Sequence, residues 1–178
     1  MRQIKDLKIK ESIEKQKLIF KESWLDVADR ITIFFFFSWG AILPFLIFFD
    51  PYKNSTEGGF EYYLPFLATF FCIYVIYRKA TEKKLSEIET KNSQEENRKI
   101  ITEYFEKNNF ERYRNASNIL IYNEENDFAI NPRYQTSRII LLDKNKVYST
   151  VLKENFRLNI PVLTKHIFLS KDLKKILK

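Results

Sequence analysis

Two long apolar runs, set in an otherwise charged chain, dominate the pattern of polar and hydrophobic positions. Residues 31–49 (ITIFFFFSWGAILPFLIFF) form nineteen positions without a charge. As a helix rising about 1.5 Å per residue they reach roughly 28 Å, close to the ~30 Å hydrocarbon core of a bilayer. Residues 62–77 (YYLPFLATFFCIYVIY) form sixteen more. That is about 24 Å, so the second span is expected to take in Phe60 and Glu61, with the carboxylate turned to the headgroups. Its tyrosines cluster at both ends, where amphipathic rings favour the membrane interface.

Charge orients the pair. Eight cations precede the first run, and Arg78, Lys79, Lys83 and Lys84 follow the second. The connecting stretch 50–59 holds Lys53 against Asp50 and Glu57. Positive-inside bias then predicts an external loop, both termini in the cytoplasm and an inner-membrane location. A secretory signal is not expected, because a charged segment of thirty residues precedes the first run and the run is too long for an h-region. Both runs contain a proline, Pro44 and Pro65, and the first also holds Ser38 and Gly40. Small residues permit close helix packing and proline permits kinking, so these four positions are candidates for packing or gating. No ionisable residue lies mid-span to mark an ion relay.

Periodicity outside the runs predicts further elements. Residues 1–30 read as one amphipathic helix, with Ile4, Leu7, Ile13, Leu18, Phe20, Trp24 and Val27 at roughly helical spacing. Its surplus of two positive charges is small, which favours packing on protein over adsorption to lipid. Residues 78–92 read as a charged helical linker. Ser93 and Glu96 form a capping box that opens a helix ending near Asn108 and Asn109. From there the period shortens to that of strands, at 118–122, 127–130, 138–142 and 147–152, and the turn at 143–146 predicts a hairpin between the last two. Residues 156–160 and 162–168 can add strands before a closing helix capped by Ser170. The expected fold class is an α-helical membrane hairpin plus a cytosolic α+β domain at 93–178 with a mostly antiparallel sheet.

Composition removes several chemistries. The three glycines are Gly40, Gly58 and Gly59, so residues 60–178 contain none. Walker and dinucleotide loops need glycine where backbone meets phosphate, so ATPase, GTPase and Rossmann readings are excluded. The single Cys72 lies in the second run and reads as a small packing residue. His166, the one histidine, has no cysteine to join it in a zinc site and no accompanying nucleophile pattern. Glu124, Glu125 and Asp127 lack the spacing and the glycine of a calcium loop. The abundance of Phe, Tyr, Lys, Asn and Ile reflects the codons of an AT-rich genome. No metal, cofactor or enzymatic role is expected.

What remains is basic and aromatic. Arg112, Tyr113 and Arg114, then Arg133, Tyr134 and Arg138, interleave guanidinium forks with rings, and from residue 78 on cations exceed carboxylates by seven. That chemistry suits a nucleotide or single-stranded nucleic acid, while a basic face turned to anionic lipid is the plainer account. In layout the chain resembles the membrane effectors of bacterial defence systems, in which a cytosolic domain senses a nucleotide signal and the spans permeabilise the membrane. The likeness is one of layout and transfers no site. The leading expectation is a non-enzymatic homo-oligomer whose cytosolic domain binds an anionic ligand and controls the spans. The alternative is a membrane-anchored immunity or assembly factor with one protein partner.

Overall fold

A computed structural model describes residues 6–49, 63–125, 135–154 and 160–178. Two long helices, α2 (Trp24–Phe48) and α3 (Tyr63–Thr81), run antiparallel beside each other. Their contacts step down one helix and up the other, from Lys79 Nζ on Asp29 at 3.3 Å, through Phe37 on Phe71, to Phe45 on Phe66. Thr69 Oγ1 donates to the carbonyls of Ala41 at 3.3 Å and of Pro65 at 3.2 Å. Pro44 lies buried inside α2 and removes the amide that would bond the Gly40 carbonyl, so Thr69 supplies a donor one residue away. A Cβ on Gly40 would stand 3.1 Å from Cys72 Sγ, which explains glycine at this crossing. Ser38 is exposed, and Pro65 sits in the first turn of the described α3.

Among the described residues one helix, over Trp24–Leu46, is long and apolar enough to cross a membrane, and 17% of its most apolar stretch is buried within the chain. The helix pair therefore leaves large rings open to its surroundings, among them Phe35 at 75% exposure and Phe70 at 69%. Soluble proteins rarely expose continuous apolar surface of this kind.

The rest is a five-stranded antiparallel sheet in the order β1-β5-β4-β3-β2: β1 Ser86–Glu89, β2 Glu111–Ala116, β3 Ile119–Glu125, β4 Gln135–Asp143 and β5 Lys146–Glu154. β3, β4 and β5 are apolar on both faces because both are covered. Leu120, Tyr122, Ile140, Leu142, Val147 and Val151 pack under α4 (Gln94–Lys107) and α5 (Lys165–Ile176). Ile119, Ile121, Ile139, Leu141, Tyr148 and Leu152 pack under Leu7 and Leu18 of the N-terminal segment. The two-residue turn Lys144-Asn145 closes the β4–β5 hairpin, with Lys144 in the left-handed region at φ 51°. α4 starts at the Ser93–Glu96 capping box and ends before Asn109 at φ 57°.

Several expectations are corrected. Residues 1–30 are not one helix: α1 covers Ile9–Glu14, Gln16 turns the chain at φ 48°, and Lys17 bridges Lys84 in strand fashion. The sheet's second face recruits Leu7 and Leu18 from both sides of that turn, and a new capping box at Ser23 and Asp26 starts α2 seven residues before the first apolar run. The linker 78–92 is not a helix throughout. α3 stops at Thr81 and β1 follows, its pairing with β5 overriding the helical preference of SEIE. Residues 111–116, not read as a strand, are β2. Residues 162–168 do not form a strand, because α5 starts at Lys165, and Ser170 lies inside α5 with its hydroxyl 2.9 Å from that of Ser86. The strand expected at 127–130 and most of 156–160 lie outside the described residues.

The Gly40 crossing is testable. Gly40→Leu should lower the melting temperature of the detergent-solubilised protein by several degrees, since the extra side chain has to displace Cys72 and part α2 from α3. Gly40→Ala should cost less and be rescued by Cys72→Ala, and equal effects with and without that rescue would refute the contact.

Candidate anion-binding site

The residues that could recognise an anion come together where the end of α4 meets α5 over the sheet. The left-handed turn at Asn109 folds Phe110 back under α4, where its amide donates to the Phe105 carbonyl at 3.1 Å and its ring meets Phe105 edge-on at 5.3 Å. Phe105 in turn stacks on Tyr122 of β3 at 4.2 Å. Arg138 stands directly across from Tyr122 on β4, and its guanidinium lies 4.0 Å above the Phe110 ring. Such contact over an aromatic face stabilises a desolvated cation.

Arg138 is 8% exposed. Its Nη2 donates to Glu124 Oε2 at 3.1 Å, and Lys165 Nζ approaches the same oxygen at 2.5 Å. Nη1 has no partner among the described residues, and neither has the buried Tyr122 hydroxyl. An unpaired buried donor costs about 1–3 kcal/mol, more on a charged group. A cavity of about 290 Å³ opens at this point, lined by Tyr104, Asn108, Phe110, Arg138, Lys165, Phe168, Leu169 and Asp172. Tyr104 donates to Asp172 at 2.8 Å, and burial together with that carboxylate pushes the phenol up to about 12, so it remains a donor at neutral pH. Burial raises the Glu124 carboxyl, but its bonds to Lys165 and Arg138 outweigh this and hold it below its ordinary value of 4.5.

Of the described residues among the six singled out in the sequence as an anion site, Arg138 alone lines this cavity. A bulge between Arg112 and Arg114 shifts the register, so Arg112 opposes Tyr122 on the helix-covered face while Arg114 opposes Ile121 on the other. Arg112 pairs with Glu106 at 3.7 Å in the open, and Tyr113 is exposed in the bulge. The two arginines therefore do not converge. Arg133, Tyr134 and Asp127 lie outside the described residues. Glu124 serves as counter-ion to Arg138 and Lys165. His166 sits in the first turn of α5, half-buried, and burial, then the neighbouring Arg78 charge, lowers its pKa. Among the described residues no group of three or more His, Cys, Asp or Glu could hold a metal ion. Tyr104, Asn108, Phe110, Lys165 and Asp172 were not legible as a site, because they come from separate elements and carry no motif.

A second polar cluster ties the sheet domain to the helix pair. Tyr74 Oη donates to the Leu163 carbonyl at 2.7 Å and Arg78 Nε to that of Val162 at 3.2 Å. Lys79, 5% exposed, lies between Asp29 and Glu82, each at 3.3 Å. Glu22 binds both Arg30 and Lys83.

Compared with protein-family models, curated proteins and solved structures, the chain gives no match. Its site is therefore argued from its own geometry.

The Glu124 pairing predicts a pH dependence. A carboxyl held below its unfolded value contributes stability that is present above pH 4.5 and lost as pH falls through the lower, folded value. Denaturant titration from pH 7 to pH 3 should show wild type losing stability more steeply below pH 4.5 than Glu124→Gln. Parallel curves would mean that the pairing contributes nothing.

Proposed function

We propose that this chain is a non-enzymatic integral membrane protein whose α2 and α3 cross the inner membrane as a hairpin, with a cytosolic sheet domain that binds an anionic ligand and controls them. The carrying observation is the combination of an apolar helix pair, open to its surroundings along most of its described length, with a polar joint at the end where it meets the sheet domain. Lipid covers the open rings at no cost, whereas Lys79, Asp29, Glu82 and Arg78 mark where the pair leaves the bilayer. On this reading the connection between α2 and α3 is external and both termini are cytoplasmic.

Control is direct in this arrangement, since α3 donates hydrogen bonds to the residues that lead into α5. Two helices cannot enclose a pore, so any ion channel or membrane-disrupting activity, as in an antiviral defence effector, requires a homo-oligomer. The second reading, an immunity or assembly factor with one protein partner, draws on the outer edge of β2, where Glu111, Arg112 and Tyr113 are exposed.

Two measurements test this. A reporter fused after Lys178 should report the cytoplasm and one inserted at Asn54 the outside, and both on one side would refute the hairpin. Mass measurement of the detergent-solubilised protein should give a symmetric oligomer. A monomer would favour the partner reading.

A further inference from the structure

We propose that the cavity between α4 and α5 is a binding site for a small organic monoanion, an aromatic carboxylate in class. Its acidic group would be held by the free Nη1 of Arg138 and by Lys165, and its apolar body by Tyr104, Phe110, Phe168 and Leu169. The proposal deepens the reading above and rests on it for any effect on the membrane helices, though not for binding itself.

The charge on the ligand follows from Arg138. A guanidinium does not lose its proton in a protein, so a buried Nη1 without an acceptor among the described residues is a donor awaiting one. Buried donors are nearly always paired, and exceptions call for an explanation such as an absent ligand. The group is also preorganised. Phe110 beneath it and Glu124 at its other arm fix the guanidinium plane, so an incoming acceptor need not pay for ordering it. Glu124 serves two cations at once and Asp172 lines the same cavity, so it is the free arm of Arg138, not a surplus of positive charge, that calls for an acceptor.

Asp172 limits that charge to one. Its carboxylate lines the same cavity, and a phosphate monoester, carrying about −1.5 to −2, would face it across a small space. Size points the same way. About 290 Å³ lies just below the usual range of ligand pockets, roughly 300 to 1,000 Å³, and half of the lining, Tyr104, Phe110, Phe168 and Leu169, is aromatic or aliphatic. An oligonucleotide cannot be enclosed there, and a phospholipid headgroup has no large apolar body to set against Phe168 and Leu169. The wall residues Lys165, Phe168, Leu169 and Asp172 all belong to α5, whose lead-in residues Val162 and Leu163 accept the bonds from Arg78 and Tyr74. A ligand drawing on Lys165 thus acts two residues from the attachment of α3.

The test is isothermal calorimetry on the full chain in neutral detergent at pH 7 and constant ionic strength, with benzoate, AMP and inorganic phosphate as probes. Benzoate should bind saturably, and at least about tenfold more tightly than the other two. Arg138→Gln should weaken it about tenfold or more, as expected for one charge-assisted hydrogen bond. Because that change also strips Glu124 of a partner, Lys165→Gln and Phe168→Ala accompany it, both at half-exposed or exposed side chains. Each should weaken benzoate several-fold while leaving the melting temperature within a few degrees. Asp172→Asn should tighten AMP. The proposal is overturned if benzoate does not bind, if phosphate or AMP binds as well as benzoate to wild type, or if the Lys165 and Phe168 variants bind benzoate as wild type does. Calorimetry reads none of the topology, so a failure of the hairpin reading would leave this outcome untouched, and the reverse.

Discussion

The burial of Lys79 between Asp29 and Glu82 is the interaction on which the rest of this molecule depends. A lysine ammonium 5% exposed is tolerable only with its carboxylates in place, and removing one partner of such a group typically costs about 3–5 kcal/mol. The cluster fixes α2 against α3 where the pair ends, and so fixes the direction in which the chain enters β1. Burial raises the Glu82 carboxyl, opposed by Lys79, which is the mark of a charge withdrawn from water. Everything beyond is hung from this point: Lys17 bridges Lys84, Leu18 donates to Lys83, and Thr150 reaches the Glu82 carbonyl.

From that anchor the sheet acquires two unlike faces. Helices α4 and α5 cover one, and their meeting point leaves the cavity where Arg138 keeps an arm free. The other is closed by a short N-terminal segment with Leu7, Leu18 and their neighbours Ile9, Ile13 and Phe20. The candidate site thus lies on the face away from the N-terminal clasp, and partly on the helix whose lead-in residues accept hydrogen bonds from α3.

Local signals in the sequence were reliable where the structure is local. The capping box at Ser93, the turn at 143–146 and the apolar strands around it follow from short-range chemistry, and Ile140, Leu142, Val147 and Val151 are core residues. The apolar period of residues 1–30 misled because Leu7 and Leu18 answer to the sheet, not to a common helical face. The charged stretch Ser86–Glu89 has the composition of a helix and became a strand because β5 offered an open edge. Two of the basic residues part for a different reason. Arg112 and Arg114 share a face only in a regular strand, and one extra residue in β2 sends them to opposite sides. The cavity was invisible, since its polar groups are scattered from Tyr104 to Asp172 and meet only in three dimensions.

The N-terminal clasp has a consequence for biogenesis. Leu7 and Leu18 close onto Ile119, Ile121, Ile139, Leu141 and Leu152, which are synthesised long after them. At about 5–20 residues per second, a ribosome takes roughly 7–26 s to travel from Phe20 to Leu152. Until the end of that interval Leu7 and Leu18 lack the full sheet face they pack on, while α2 and α3 behind them have already been synthesised. The clasp therefore closes only after the helices behind it and the sheet have been made, and the segment synthesised first is the last to find its place.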